Sequence, residues 1–194
     1  MNEQIQAATV RVFIALAPPD DAKEELAQAL RPAYDAYPRM RWNRIEDWHI
    51  TLAFLGELPR SAVSLLRTPL ARLAAGHRPL RLALRGGGHF DERVLWSGVD
   101  GDLEGLRLLA GEVRALVREH GVTFMDRPLT PHLTLARCRR DDASSAVRAA
   151  AGLSAFTGRT WQAERLHLVG SNFGRGPGPI HYRDIEHWAF GGAG

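Results

Sequence analysis

Two tetrapeptides in this chain share one pattern, His49-Ile50-Thr51-Leu52 and His132-Leu133-Thr134-Leu135. A single His-x-Thr arises often by chance. Two copies, each inside an apolar, strand-like segment and each continuing with Leu, make a far more specific signal. Side chains alternate faces along a strand, so a His and a Thr two residues apart point the same way. Ile50, Leu52, Leu133 and Leu135 then anchor the opposite face in a core. If the two strands lie side by side, two imidazoles and two hydroxyls converge on one cleft. That set suits phosphodiester hydrolysis. A neutral imidazole takes a proton from water, and a protonated one gives a proton to the departing ribose oxygen. Histidine serves both tasks because its ordinary pKa, ~6.5, lies near neutrality. The threonine hydroxyls can donate to the non-bridging phosphate oxygens as their charge grows. A five-membered cyclic phosphate is strained, so its opening does not require a metal.

A metal centre is the competing chemistry. It usually needs three or more His, Cys or carboxylate ligands, and the chain has neither His-x-His nor His-Glu-x-x-His. Asp47 shares parity with His49 and reads as a turn or supporting residue, so no metal is expected. His77, His89, His120, His167, His181 and His187 show no matched pattern and receive no role. Arg85-Gly86-Gly87-Gly88-His89 lacks the spacing of a phosphate-binding loop and reads as a flexible hairpin turn. Arg137, Arg139 and Arg140 form a small basic cluster beside the second motif. Trp96 and Trp161 read as core residues.

The elements that must position the motifs can be read from periodicity. Strands are predicted at 10–16, 39–44, 48–58, 80–84, 94–99, 131–137, 156–160, 163–170 and 180–189. Helices are predicted at 21–37, 60–75, 103–120, closed by Gly121, and 143–151. Hairpin-like connections favour antiparallel pairing over a doubly wound parallel sheet. Each half carries one His-x-Thr-Leu strand and at least one long helix. An internal duplication follows, divergent outside the tetrapeptides.

Composition sets the bounds. A chain of 194 residues with 45% hydrophobic content can form one sizeable core, or two small lobes sharing one. Nothing in the composition splits it into independent domains, so 1–194 reads as a single unit. The N-terminus is polar, without a signal-like apolar core, and a cytoplasmic location is expected. The single cysteine, Cys138, excludes an internal disulfide and reads as a core residue. Lys23 is the only lysine among 25 basic Lys and Arg residues. An arginine bias suits phosphate-bearing partners, though a genome-wide preference explains it equally well. A lone lysine without a nucleotide motif argues against a covalent lysine–nucleotide ligase.

At these residues the chain resembles the 2H phosphoesterase superfamily, and most of all its RNA 2',3'-cyclic phosphodiesterase branch, also described as 2'-5' RNA ligases. The resemblance extends to Arg11-Val12-Phe13-Ile14-Ala15-Leu16, to Trp48 through Gly56, to Val94-Leu95-Trp96, and to Arg127-Pro128 with Pro131 through Arg137. It implies a bilobal α+β fold, with two antiparallel sheets facing a central cleft, helices outside and a pseudo-two-fold duplication. The chain is expected to be a monomer that needs no cofactor and no membrane, acting on an RNA or nucleotide partner ending in a 2',3'-cyclic phosphate. The implied product is a 2'-phosphomonoester. His49 would protonate the leaving 3'-oxygen and His132 would activate water. Phe13 and Arg137 would contact the nucleotide. Phe13 reads equally as a core residue, and strict alternation puts Arg137 on the opposite parity from His132. Two alternatives remain: ligation by the reverse reaction, and a noncatalytic RNA-end or nucleotide-binding module. The segment 173–182 and the tail after Trp188 depart from the resemblance.

Overall fold

The computed structural model describes residues 8–172 and 181–192. Among them run β1 (Thr9–Leu16), α1 (Asp20–Ala36), β2 (Arg41–Trp42), β3 (Ile50–Pro59), α2 (Arg60–Gly76), β4 (Leu80–Phe90) and β5 (Val94–Gly101). Then follow α3 (Leu103–Glu119), β6 (His132–Arg137), α4 (Ala143–Gly152), β7 (Thr157–Ala163), β8 (Arg165–Asn172) and β9 (His181–Ala189). The protein is α+β. The two expected sheets are the halves of one continuous antiparallel sheet, ordered β7-β4-β5-β6-β3-β1-β8-β9. They meet at a single register pair, Ile50 with Leu133. The short β2 takes the rest of the β6 edge, pairing Arg41 with Arg137 and Trp42 with Ala136.

The helices lie on one face. In one half, Val12, Ile14, Leu16, Leu52, Leu166 and Leu168 pack against α2 and α3 through Leu66, Leu70, Leu109 and Val113. In the other, Leu84, Leu95, Leu133 and Leu135 pack against α1 and α4 through Leu26, Leu30, Ala146 and Ala149. The alternation that buries these aliphatics turns their neighbours to the opposite face. Two aliphatic-rich clusters on one side thus leave the other side for chemistry.

Gly121 closes α3 as expected. Its φ is +77°. Its N–H donates to the Arg118 carbonyl at 2.9 Å, and Val122 N–H reaches back to the Val117 carbonyl at 3.2 Å. This paired arrangement is the Schellman motif, with Val117 and Val122 both buried beneath it. The glycine-rich segment differs from expectation. Gly86, Gly87 and Gly88 lie within β4, and the turn is at Asp91–Arg93. Asp91 and Glu92 take the positive φ values, 50° and 57°, and Arg93 N–H closes on the Phe90 carbonyl. Packing explains the shift. A Cβ on Gly88 would lie 2.2 Å from the Trp96 ring, and one on Gly87 would lie 2.7 Å from the Leu153 side chain. Gly87 and Gly88 make room for neighbours, whereas Gly86, with a φ of +63° and open space at its Cβ, serves the register shift between Arg85 and Gly87.

Candidate active site

β3 and β6 are adjacent and antiparallel, so the Ile50–Leu133 pair sets the register of both motifs. One residue to either side, His49 comes opposite Thr134 and Thr51 opposite His132. The two histidines therefore sit on the diagonal of a four-residue square. Diagonal neighbours across an antiparallel pair are about 7–8 Å apart, a span that brackets one phosphate. The buried partners Ile50, Leu52, Leu133 and Leu135 are 0% exposed, while His49, Thr51, His132 and Thr134 are half-buried.

Both rings are held in the same way. Nδ1 of His49 lies 2.8 Å from the Asp47 carbonyl, and Nδ1 of His132 lies 2.6 Å from the Thr130 carbonyl. A carbonyl only accepts, so Nδ1 carries the hydrogen and Nε2 of the neutral ring keeps its lone pair. Aromatic edges complete each setting. His49 meets Phe13 and Tyr182 at ring separations of 5.7 and 6.3 Å. His132 meets Phe90 and Trp96 at 4.9 and 6.4 Å. Burial pushes the His49 pKa down to about 4, aided by the nearby charges of Lys23 and His167 and opposed by the Asp47 carbonyl and Asp184. Burial lowers the His132 pKa as well, with help from Arg137 and against the bond to Thr130. Both rings are therefore neutral at pH 7 until a ligand's charge intervenes.

Phe13 and Arg137 are both brought to this face. Phe13 is 5% exposed and clusters with Ala15, Val169 and Tyr182, apart from the two helix-covered cores. The parity problem at Arg137 is resolved by a bulge. Leu95 pairs with Ala136 but Trp96 pairs with Thr134, so Leu135 is the extra residue. Leu135 and Ala136 both turn into the core, and Arg137 emerges exposed. β3 repeats the device. Ala15 pairs with Thr51 and Ile14 with Ala53, skipping Leu52. Leu52 and Ala53 both enter the core, and Phe54, 44% exposed, emerges with the Arg11 guanidinium 4.9 Å from its ring centre. The motifs thus run one residue further than the tetrapeptides, as His49-x-Thr-Leu-Ala53 and His132-x-Thr-Leu-Ala136, and Phe54 stands where Arg137 stands in the second copy.

Sequence reasoning missed more of the site than Phe54. Lys23, on the first turns of α1, is only 7% exposed, and its ammonium donates to the Glu46 carbonyl at 3.4 Å. Burial lowers its pKa against the pull of Asp20, Asp47, Glu46 and Asp184. It lines a cavity of about 210 Å³ with His49, His167, Tyr182 and Asp184. His167 and Asp184 are joined there by a 2.9 Å hydrogen bond. The visible clue was Pro18-Pro19-Asp20, which starts α1 directly after β1 and so delivers its first turns to the end of a central strand. The segment 173–180 falls outside the described residues. Of the residues in the 173–182 departure, Tyr182 lies at the site.

Residues 18–174 match the 2'-5' RNA ligase superfamily. Several similar proteins are named RNA 2',3'-cyclic phosphodiesterase. The one from Geobacillus stearothermophilus is 36% identical over 129 residues, 64% of this chain and 41% of that protein. This chain therefore spans less than half of that relative's length. The one from Thermus thermophilus is 30% identical over 195 residues, covering 94% of this chain and 91% of that protein. The one from Escherichia coli is 29% identical over 181 residues, covering 92% and 96%. Among solved structures, E. coli LigT in apo form has a TM-score of 0.76 at 26% identity, covering 94% of this chain and 98% of that one. A solved protein from Thermus thermophilus gives the same TM-score, 0.76, identity, 26%, and coverage, 94% and 98%.

Proposed function

Because the chain belongs to the 2'-5' RNA ligase superfamily, we propose that it hydrolyses 2',3'-cyclic phosphate ends of RNA to 2'-phosphomonoesters, by acid–base catalysis between two histidines and without a metal. The reading is carried by the register that sets each histidine opposite the other motif's threonine, with both Nε2 atoms left for the cleft. In the forward reaction His132 takes a proton from water as its oxygen attacks phosphorus. The bond from phosphorus to the 3'-oxygen breaks, and His49 delivers the proton to that oxygen. Thr51 and Thr134 donate to the non-bridging oxygens. Arg137 faces the nucleotide as a cation, and Phe13 and Tyr182 offer it aromatic surface. The phosphodiester carries a negative charge, so its arrival raises the pKa of the buried His49 ring and lets it hold the proton it must give. The names borne by the relatives support this substrate. Ligation is the same ring opening with a ribose 5'-hydroxyl attacking phosphorus in place of water and the 3'-oxygen leaving as before; it uses the same groups and yields a 2'-5' linkage. Nothing in the proposed chemistry requires a membrane, and no helix of the described residues is long and apolar enough to cross one.

The test is cyclic-phosphate hydrolysis in excess EDTA by the wild type, His49→Ala and His132→Ala. Activity is expected to survive chelation and to fall ~10²- to 10⁴-fold in each variant. Variants that bind nucleotide and lose no turnover would instead favour a noncatalytic module, and loss under EDTA alone would favour a metal mechanism. Chromatography separating 2'- from 3'-monophosphate identifies the oxygen that leaves.

A further inference from the structure

Three further ligand-bearing side chains gather on the β8–β9 hairpin. His167 and His187 are direct cross-strand partners. Their side chains therefore leave the same face, with Cβ atoms about 5 Å apart. Strict alternation would send Asp184, three residues from His187, to the other face. The register shift between Leu168 and Val169 leaves Ile185 unmatched and turns Asp184 back toward the histidines. Nδ1 of His167 lies 2.9 Å from Oδ2 of Asp184, and Nδ1 of His187 lies 3.9 Å from the same oxygen. One ligand atom from each of the three lies within 4.8 Å of the others.

Two imidazole nitrogens and one carboxylate oxygen are the donor set of a borderline transition metal, whereas magnesium and calcium take oxygen ligands. Around a tetrahedral zinc with bonds of 2.0–2.1 Å, donor atoms stand about 3.3 Å apart. The observed spacings bracket that value. His187, with half its side chain exposed, can rotate to close the set, while His167 is held in place by burial.

We propose that His167, Asp184 and His187 form a site for a divalent transition-metal cation of the zinc class, separate from the His49–His132 pair. Two of its three ligands, His167 and Asp184, also line the cavity that holds His49 and Lys23. A doubly charged ion there disfavours the protonated His49 ring, so the bound metal slows hydrolysis. That consequence rests on the hydrolytic reading above, whereas the binding itself does not.

The experiment titrates the full chain, stripped with chelator, with cobalt(II) followed by its visible d–d absorption and with zinc(II) followed by calorimetry. Wild type is expected to bind one ion. His187→Ala and Asp184→Asn should each weaken binding by at least about tenfold, while His120→Ala, an exposed histidine at the end of α3, leaves it unchanged. Zinc should slow cyclic-phosphate hydrolysis by wild type, and His187→Ala should need at least tenfold more of it for the same effect. Equal affinity in wild type and in both site variants, or no saturable binding, overturns the proposal. A chain with no hydrolytic activity but an intact one-to-one cobalt complex would sink the hydrolytic reading and leave the metal site standing.

Discussion

At the scale of single residues, the site holds two half-buried imidazoles that are neutral at pH 7. For His49 this has a cost in acid. Its folded pKa of about 4 lies below the unfolded value near 6.5, so the unfolded chain binds more protons between those limits. The stability tied to the neutral ring is complete above pH 6.5 and drains away as the pH falls through 4. The shift corresponds to up to ~3 kcal/mol. Denaturant titrations at pH 7 and pH 4.5 should show wild type losing more stability than His49→Gln over that interval. Equal losses would show that the ring is not held neutral. The His-x-Thr pairs were legible because residue type and a two-residue spacing suffice to reveal them. The bonds from Nδ1 to the Asp47 and Thr130 carbonyls were not, since backbone acceptors leave no trace in side-chain identity. Nor was the gathering of His167, Asp184 and His187, which depends on one unmatched residue in a hairpin.

At the scale of elements, bulges decide what faces the cleft. Period-two reasoning located β3 and β6 but left Arg137 on the opposite parity from His132, because unbroken alternation has no place for a bulge. The repeated Leu-Ala after each Thr was the available clue: two successive small or aliphatic side chains going into one core require an extra residue in the strand. The glycine segment was misread for a related reason, since a glycine that yields space resembles one that bends the chain. Gly88→Ala tests this. The added methyl meets the Trp96 ring, which sits beside His132. A loss of about 1–3 kcal/mol is expected from such crowding, with a fall in turnover alongside. Gly152→Ala, with open space at its Cβ, should be near neutral in thermal unfolding and activity. If the two substitutions behave alike, Trp96 is not confined by Gly88.

At the scale of the whole molecule, among the described residues the two halves of the sheet share only the Ile50–Leu133 pair as backbone register. Arg114 on α3 reinforces that seam. Its Nε donates to the Leu52 carbonyl at 2.9 Å, an acceptor exposed by the bulge. Its Nη1 donates to the Arg127 carbonyl at 2.7 Å and to Asp126 at 3.2 Å, in the segment leading into β6. One guanidinium thus ties the first motif's strand to the approach of the second. Lysine cannot reproduce this fork. Arg114→Lys should cost about 1–3 kcal/mol and speed amide hydrogen exchange at Ile50 and Leu133 more than at Leu84 or Leu168. Uniform exchange across all four would show that the seam does not depend on Arg114. The α+β class and most element positions could be read from periodicity. The merging of two sheets into one could not, because it rests on one backbone pairing between residues 83 positions apart.

The strand order also sets a timetable. β1 precedes β3 and β8 in the chain, lies between them in the sheet, and pairs Phe13 with Val169. The aromatic wall beside His49 takes Phe13 from one end of the chain and Tyr182 from the other. Until β8 and β9 have been made, β1 and its Phe13 have an unpaired edge, and one of the cleft's two walls does not exist. A nascent chain carrying both motif histidines therefore still lacks part of the cleft, which is complete only when β8 and β9 close over the first strand.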